Sequence, residues 1–185
     1  MLVAISGVPG TGKTKVSKEL AVRLNKKIKN RKEKYKLVEL NKLAEAKNAF
    51  LGYDRRRRSK IIELKKLKKE IKELGKKHNN LIIEGLFSHF FDSDILIVLR
   101  CNPTTLEKRL KKKYKWQTKI DENVEAELIG VVTEESLHIH KPGTIFEVDT
   151  TGKTVKQTAK ILQSIIEDGE KRIVYAAGKI DWLGV

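Results

Sequence analysis

Cysteine is almost absent. Cys101 stands alone, so no internal disulfide can form. Long apolar runs are missing too: none approaches the roughly 20 residues that a helix needs to cross a bilayer, and no membrane partner is expected. There is no internal repeat, no low-complexity linker, and no basic stretch ahead of an apolar one at the start. Met1 leads straight into the strand-like run Leu2–Ser6 and then into glycines, so a signal peptide is not expected. A lone cysteine and no signal together point to a cytoplasmic protein.

What is present fits one domain with a sizeable buried core in 185 residues. Apolar residues make up 39% and charged residues 35%. The first figure is too high for a disordered chain and the second too high for a membrane protein. The net charge of +16 is local: residues 25–36 carry +6, residues 54–77 carry +8 and residues 108–119 carry +7, while the remainder carries −5. Local positive charge attracts phosphate, on nucleotides or on RNA. A Lys- and Glu-rich surface is also a common feature of heat-adapted proteins, and composition does not choose between the two.

The periodicity predicts strands alternating with helices from end to end. Leu2–Ser6, Lys36–Leu40, Leu81–Glu84, Ile95–Leu99 and Thr144–Val148 read as strands. A helix is expected from about Lys13 to Leu24, with Val16, Leu20 and Leu24 repeating every four residues. A second is expected through Ile61, Leu64, Leu67, Ile71 and Leu74, stopping near Gly75. Another is expected between Ile120 and Val132, and a last one over Val155–Ile166, ending near Gly169. Strands apolar on both faces must be covered by helices on both sides. The expected fold class is therefore α/β with a central parallel sheet.

Gly7-Val8-Pro9-Gly10-Thr11-Gly12-Lys13-Thr14 fits the phosphate-binding pattern G-x-x-x-x-G-K-[ST] in full. Glycines let the backbone curl so that successive N–H groups point at phosphate oxygens. The helix starting near Lys13 aims the positive end of its dipole at the same anion. Lys13 supplies a point charge for the β- and γ-phosphates, and Thr14 a hydroxyl for Mg²⁺. The pattern sits between an apolar strand and an amphipathic helix, the context that separates it from an ordinary glycine-rich turn. Gly7, Gly10, Thr11, Gly12, Lys13, Thr14 and Lys15 are thus the candidate ATP contacts of this loop.

Such a site also needs a carboxylate near the metal. Glu84 ends the run Leu81–Ile83 and is the candidate; Asp92 and Asp94 are the alternatives. It needs cationic charge over the transferring phosphoryl group as well. Arg109 is the first choice, because its fork grips phosphate at two points, and Lys113 the second. Some of Lys111, Lys112, Lys113 and Lys115 would simply form a solvated face. His138 and His140 read as a surface strand or loop rather than a zinc site, and His89, five residues past Glu84, could face the site.

GVPGTGKT (7–14), LGYD (51–54), LIIEG (81–85), ILIVLR (95–100), LEKRL (106–110), KIDENVEAE (119–127) and GKIDWLG (178–184) together resemble the small nucleoside monophosphate kinases. The closer resemblance is to the adenylate kinase 6 family, ribosome-assembly ATPases that include the coilin-interacting nuclear ATPase of eukaryotes. It covers nearly the whole chain. The resemblance implies a three-layer P-loop NTPase fold in one domain, 1–185, with a five-stranded parallel sheet. It implies an NMP-binding segment at about 30–53, a lid at about 108–118 and a C-terminal tail at about 170–185. It implies ATP and AMP as substrates, Mg²⁺ as cofactor, adenylate kinase activity with ATPase activity, and a role in maturing small-subunit ribosomal RNA beside the platform ribosomal protein of the S-eleven type. This chain departs from the family in three places. Glu84-Gly85-Leu86 stands for the usual Asp-x-His, Lys113-Tyr114-Lys115 for the usual Arg-Gly-Tyr, and Glu45 follows Leu43-Ala44 where an arginine is frequent. The donor side is therefore expected to be intact and the acceptor side altered. The alternative is a dedicated small-molecule kinase with another acceptor and no ribosomal role.

Overall fold

A computed structural model describes residues 1–184. The last residue of the expected C-terminal tail, Val185, lies outside the described residues. The chain runs β1 (Leu2–Ser6), α1 (Lys13–Asn25), β2 (Tyr35–Glu39), α2 (Leu40–Ala46), β3 (Phe50–Asp54), β4 (Ser59–Ile62), α3 (Leu64–Lys77) and β5 (Asn80–Glu84). It continues with β6 (Ile95–Arg100), α4 (Pro103–Lys111), α5 (Gln117–Leu128), α6 (Val131–Ile139), β7 (Ile145–Asp149) and α7 (Val155–Glu167). Short 3₁₀ turns occupy Ser88–Phe90 and Glu170–Tyr175.

Five strands form one parallel sheet in the order β2-β5-β1-β6-β7. Alternate residues of each strand face opposite sides. Val3, Ile5, Ile82, Ile97 and Leu99 pack with Val16, Leu20 and Leu24 of α1 and with Ala159, Leu162 and Ile165 of α7. Ala4, Ile83, Leu96 and Val98 face the other way, onto Leu67 and Ile71 of α3 and Leu106 and Leu110 of α4. The result is the expected three-layer α/β fold. Asn102 caps α4, accepting from the N–H groups of Thr104 and Thr105, with Pro103 in the first helical position. Thr154 and Gln157 form a reciprocal capping box on α7.

Four expectations need correction. Ile61 belongs to β4, not to the helix that follows, because β3 and β4 pair as an antiparallel hairpin. The helical stretch expected across residues 120–132 is two helices: Gly130 adopts a left-handed φ of 66° and separates α5 from α6. Leu40 starts α2 rather than ending β2. His138 lies within α6 and His140 caps it, so neither is in a strand.

Behind β6 lies a buried ionic cluster. Arg100 is 3% exposed, and its Nε donates to Glu127 Oε1 at 2.7 Å while another guanidinium nitrogen pairs with Glu147 Oε1. The C-terminal segment closes it. Backbone N–H groups of Gly178 and Lys179 donate to Glu147 Oε2 at 2.7 and 3.2 Å, and the Trp182 indole donates to Glu127 Oε1 at 3.0 Å. Burial pushes the Glu127 carboxyl above its ordinary range, against the pull of Arg100. Burial acts to lower Arg100, but Glu127 and Glu147 more than reverse that.

Candidate functional site

The chain changes direction across the sheet between β1 and β6. From β1 it crosses towards β2, and from β6 it goes on to β7. Open α/β sheets place ligands at the carboxyl ends of the strands at such a switch. The glycine-rich loop sits there. Gly7 has φ 129°, and a Cβ on it would stand 2.4 Å from the Leu99 carbonyl oxygen of β6, so only glycine fits. Gly10, at φ 95°, is wedged against Leu106, 2.7 Å from where its Cβ would be. The loop is thus clamped between β6 and α4 before α1 begins.

Lys13, the first residue of α1, folds back over the loop. Its Nζ donates to the carbonyls of Gly7 at 2.7 Å and Val8 at 3.0 Å. Burial lowers its pKa to about 8; Glu84 opposes the shift and Lys113 adds to it. The Thr14 hydroxyl donates to Glu84 Oε1 at 3.1 Å. Glu84, 6% exposed, is pushed above the usual carboxylate range, first by burial and also by Glu39, its neighbour across the β2–β5 pairing. Glu39 was not singled out from the sequence; it is engaged by Lys18 and Lys42. Asp94 is removed from the site, accepting from the Leu2 N–H at 2.6 Å.

Thr14 and Glu84 offer a hard hydroxyl and a carboxylate oxygen side by side, the donor types Mg²⁺ takes. Among the described residues no three His, Cys, Asp or Glu side chains gather to hold a metal by themselves. The pair therefore fits Mg²⁺ arriving with phosphate oxygens, since that ion keeps several non-protein ligands.

Arg109 reaches the loop from α4. Its guanidinium donates to the Gly10 carbonyl at 3.4 Å and to the Thr150 hydroxyl and carbonyl at 3.2 and 3.0 Å. It thereby ties the glycine-rich loop to the turn after β7. Thr150, Lys153, Val155 and Thr158 line the same cleft as Gly10–Lys15. No motif marked these four; only the return of β7 beside β6 brings them in. Lys113 and Lys15 also line the cleft.

His89 is 1% exposed and locked in place. Its Nδ1 shares a hydrogen bond with Ser6 Oγ, and its Nε2 lies 2.9 Å from Glu135 Oε2. A carboxylate only accepts, so Nε2 carries the proton. Burial lowers the pKa while Glu135 opposes it; the Ser6 hydroxyl, which also donates to the Leu86 carbonyl at 3.0 Å, has one proton to share between the two partners. His140 donates to the His89 carbonyl at 2.7 Å. His89 thus lines the cleft, as its spacing suggested, and at the same time ties the root of the glycine-rich loop to α6.

The whole cleft has a volume of about 1100 Å³, just above the range of ordinary single-ligand pockets (roughly 300–1,000 Å³). Besides the loop it is lined by Asn41 and Glu45 of α2, by Phe50, Arg57, Lys60 and Ile62 of the hairpin, by Tyr114 in the turn between α4 and α5, and by Lys119 and Glu122 in the first turns of α5. The hairpin tip bridges to α5: Arg57 pairs with Glu122 at 2.7 Å, Arg58 stacks 3.5 Å above the Trp116 ring, and Lys119 donates to the Arg57 carbonyl at 3.3 Å. Neither hairpin strand has a fully buried residue, so the alternation that reveals strands is missing there.

Known proteins agree with this architecture. A protein of Methanosarcina barkeri named "Putative adenylate kinase" is 33% identical over 99% of this chain and 98% of its own length. One of Pyrococcus furiosus with the same name is 38% identical over 100% of this chain and 93% of its own. The fold resembles thymidylate kinase from Candida albicans, with a TM-score of 0.55 and 16% identity over 92% of each chain. It also resembles deoxyadenosine kinase from M. mycoides with bound dATP, with a TM-score of 0.53 and 14% identity over 91% of this chain and 100% of the other. Among the described residues no helix is long and apolar enough to cross a membrane. Residues 3–130, well over half of the sequence, match the AAA domain family, and the chain belongs to it.

Proposed function

We propose that this protein is an ATP·Mg-dependent phosphotransferase of the adenylate kinase 6 type, transferring the γ-phosphate to AMP or to water. The observation that carries the reading is the glycine-rich loop at the switch point, with Lys13, Thr14 and Glu84 converging on it. In this reading the loop N–H groups and the α1 dipole hold the polyphosphate. Lys13 swings from the carbonyls of Gly7 and Val8 to the β- and γ-phosphate oxygens. Arg109 and Lys113 stand over the phosphates as the lid of residues 108–118, and the segment Thr150–Thr158 borders the base. Thr14 and Glu84 would hold Mg²⁺, which shields phosphate charge when bound. The NMP-binding segment of residues 30–53 extends through the hairpin to Ile62. Archaeal relatives matched over nearly their full length bear the name "Putative adenylate kinase", which supports AMP as an acceptor.

Glu84→Gln keeps size and removes charge. It is expected to weaken the dependence of turnover on Mg²⁺ and to slow turnover, while nucleotide binding largely survives. A magnesium titration of both proteins is the measurement. An unchanged metal response would move the carboxylate role to another residue, with Asp92 next.

The same reading includes a cytoplasmic role in small-subunit ribosomal RNA maturation, beside the platform protein of the S-eleven type. Its support is the exposed basic face of α3, with Lys65, Lys68, Lys69 and Lys72, and of the hairpin tip, Arg55 and Arg56. Contacts of that kind release counterions, so binding to a ribosomal RNA fragment should weaken steeply with added salt. Salt-insensitive binding would argue against it.

A further inference from the structure

The acceptor side of the cleft lacks its expected arginine, because Glu45 lines it in that place. Two nearby cations cannot compensate: Lys42 is paired with Glu39 at 2.8 Å and Lys47 with Glu70 at 2.7 Å. The hairpin supplies others. Of the four consecutive arginines at its tip, Arg57 lines the cleft, together with Lys60 and with Lys119 of α5. Phe50, Ile62 and Tyr114 give the same region an apolar wall, and Lys60 sits 4.5 Å from the Phe50 ring. Cations beside an apolar wall suit a phosphate joined to a flat base. The volume of the cleft leaves room for such a molecule beside a donor nucleotide.

The fork of Arg57 is in place but occupied. Its Nε is 2.7 Å from Glu122 Oε1, and Glu122 lines the cleft as well. Lys119, donating to the carbonyls of Arg57 and Arg58, and Arg58, stacked on Trp116, hold the tip over α5. A phosphate carries more charge than a carboxylate and meets the guanidinium at two points, so it can displace Glu122.

We propose that Arg57, with Lys60 and Lys119, grips the phosphate of a nucleoside monophosphate acceptor, and that Glu122 holds Arg57 until that phosphate arrives. This rests on the phosphotransferase reading above and names the acceptor grip within it. Glu45 then weakens the acceptor site without abolishing it, because the grip comes from the hairpin rather than from α2.

The test is equilibrium binding of AMP, and separately of ATP, by calorimetry to the full chain. Arg57→Ala should raise the Kd for AMP about tenfold, more than any change for ATP. Glu122→Gln should tighten AMP about two- to fivefold by removing the competitor. Both positions are exposed, so folding is not at stake. Trp116 fluorescence should change as AMP displaces the bridge and lose that change in Trp116→Phe. AMP affinity unaltered in Arg57→Ala, or AMP and ATP weakened equally, overturns the proposal and leaves the donor reading standing. A wild-type protein that binds ATP and no AMP overturns both this proposal and the AMP acceptor.

Discussion

Lys13→Ala is expected to lower ATP turnover by about 10²–10³-fold, the usual loss when one preorganised contact to developing phosphate charge is removed. The side chain hydrogen-bonds to the Gly7 and Val8 carbonyls and belongs to neither apolar cluster, so its loss should leave the core intact. The variant should melt close to the wild type while its steady-state rate collapses. The same lysine sets a pH limit. Its pKa of about 8 lies below the ordinary 10.5 because burial disfavours the charge. The ammonium is present below about pH 8 and lost above it. kcat/KM for ATP, which reports the free protein, should therefore decline above that pH. The stability effect has the opposite direction. Between about pH 8 and 10.5 the unfolded chain holds the proton that the folded one releases, so stability rises with pH across that window. A variant with the wild-type rate would remove Lys13 from the chemistry.

Arg100→Met has the largest expected effect on stability. Methionine fills most of the space, so the loss is electrostatic and not a cavity. Glu127 and Glu147 would remain buried, with donors only from Thr133, Cys101 and the C-terminal segment. Removing one partner of a buried ion cluster costs about 3–5 kcal/mol. For a chain of this size that is roughly 6–20 °C in Tm. The penalty should shrink at acidic pH, because the Glu127 carboxyl, already pushed up by burial, takes a proton readily once Arg100 is gone. A thermal melt across pH checks both points; a shift below about 1 kcal/mol would mean the cluster is solvated or rearranges.

The parts of this fold that the sequence reveals are those with local signals. Strands buried on both faces show as short apolar runs, and the glycine-rich loop shows because two glycines with positive φ, Gly7 and Gly12, a lysine and a threonine must occur in fixed order. Glu84 is legible as the end of such a run. The hairpin is not, because its residues are at most half-buried and carry no alternation. The break between α5 and α6 had one cue, Gly130, isolated inside a helical pattern. The Arg100–Glu127–Glu147 cluster joins residues 27 and 47 positions apart and is invisible to any window. His89 lies near the site as its spacing suggests, but its partners, Ser6 and Glu135, come from β1 and α6 and turn it into a structural tie. The acceptor side follows the same logic: Glu45 is readable, whereas the Arg57–Glu122 bridge depends on how the hairpin leans on α5.

The central claim is a working ATP site beside an altered acceptor site. It is tested most directly by following labelled ATP with the purified protein, with and without AMP, and scoring ADP against free phosphate. The account predicts that hydrolysis without AMP is a substantial fraction of total turnover and that AMP binds weakly, since Glu45 repels its phosphate and Arg57 must first leave Glu122. Efficient ADP formation at low AMP with negligible free phosphate would contradict it.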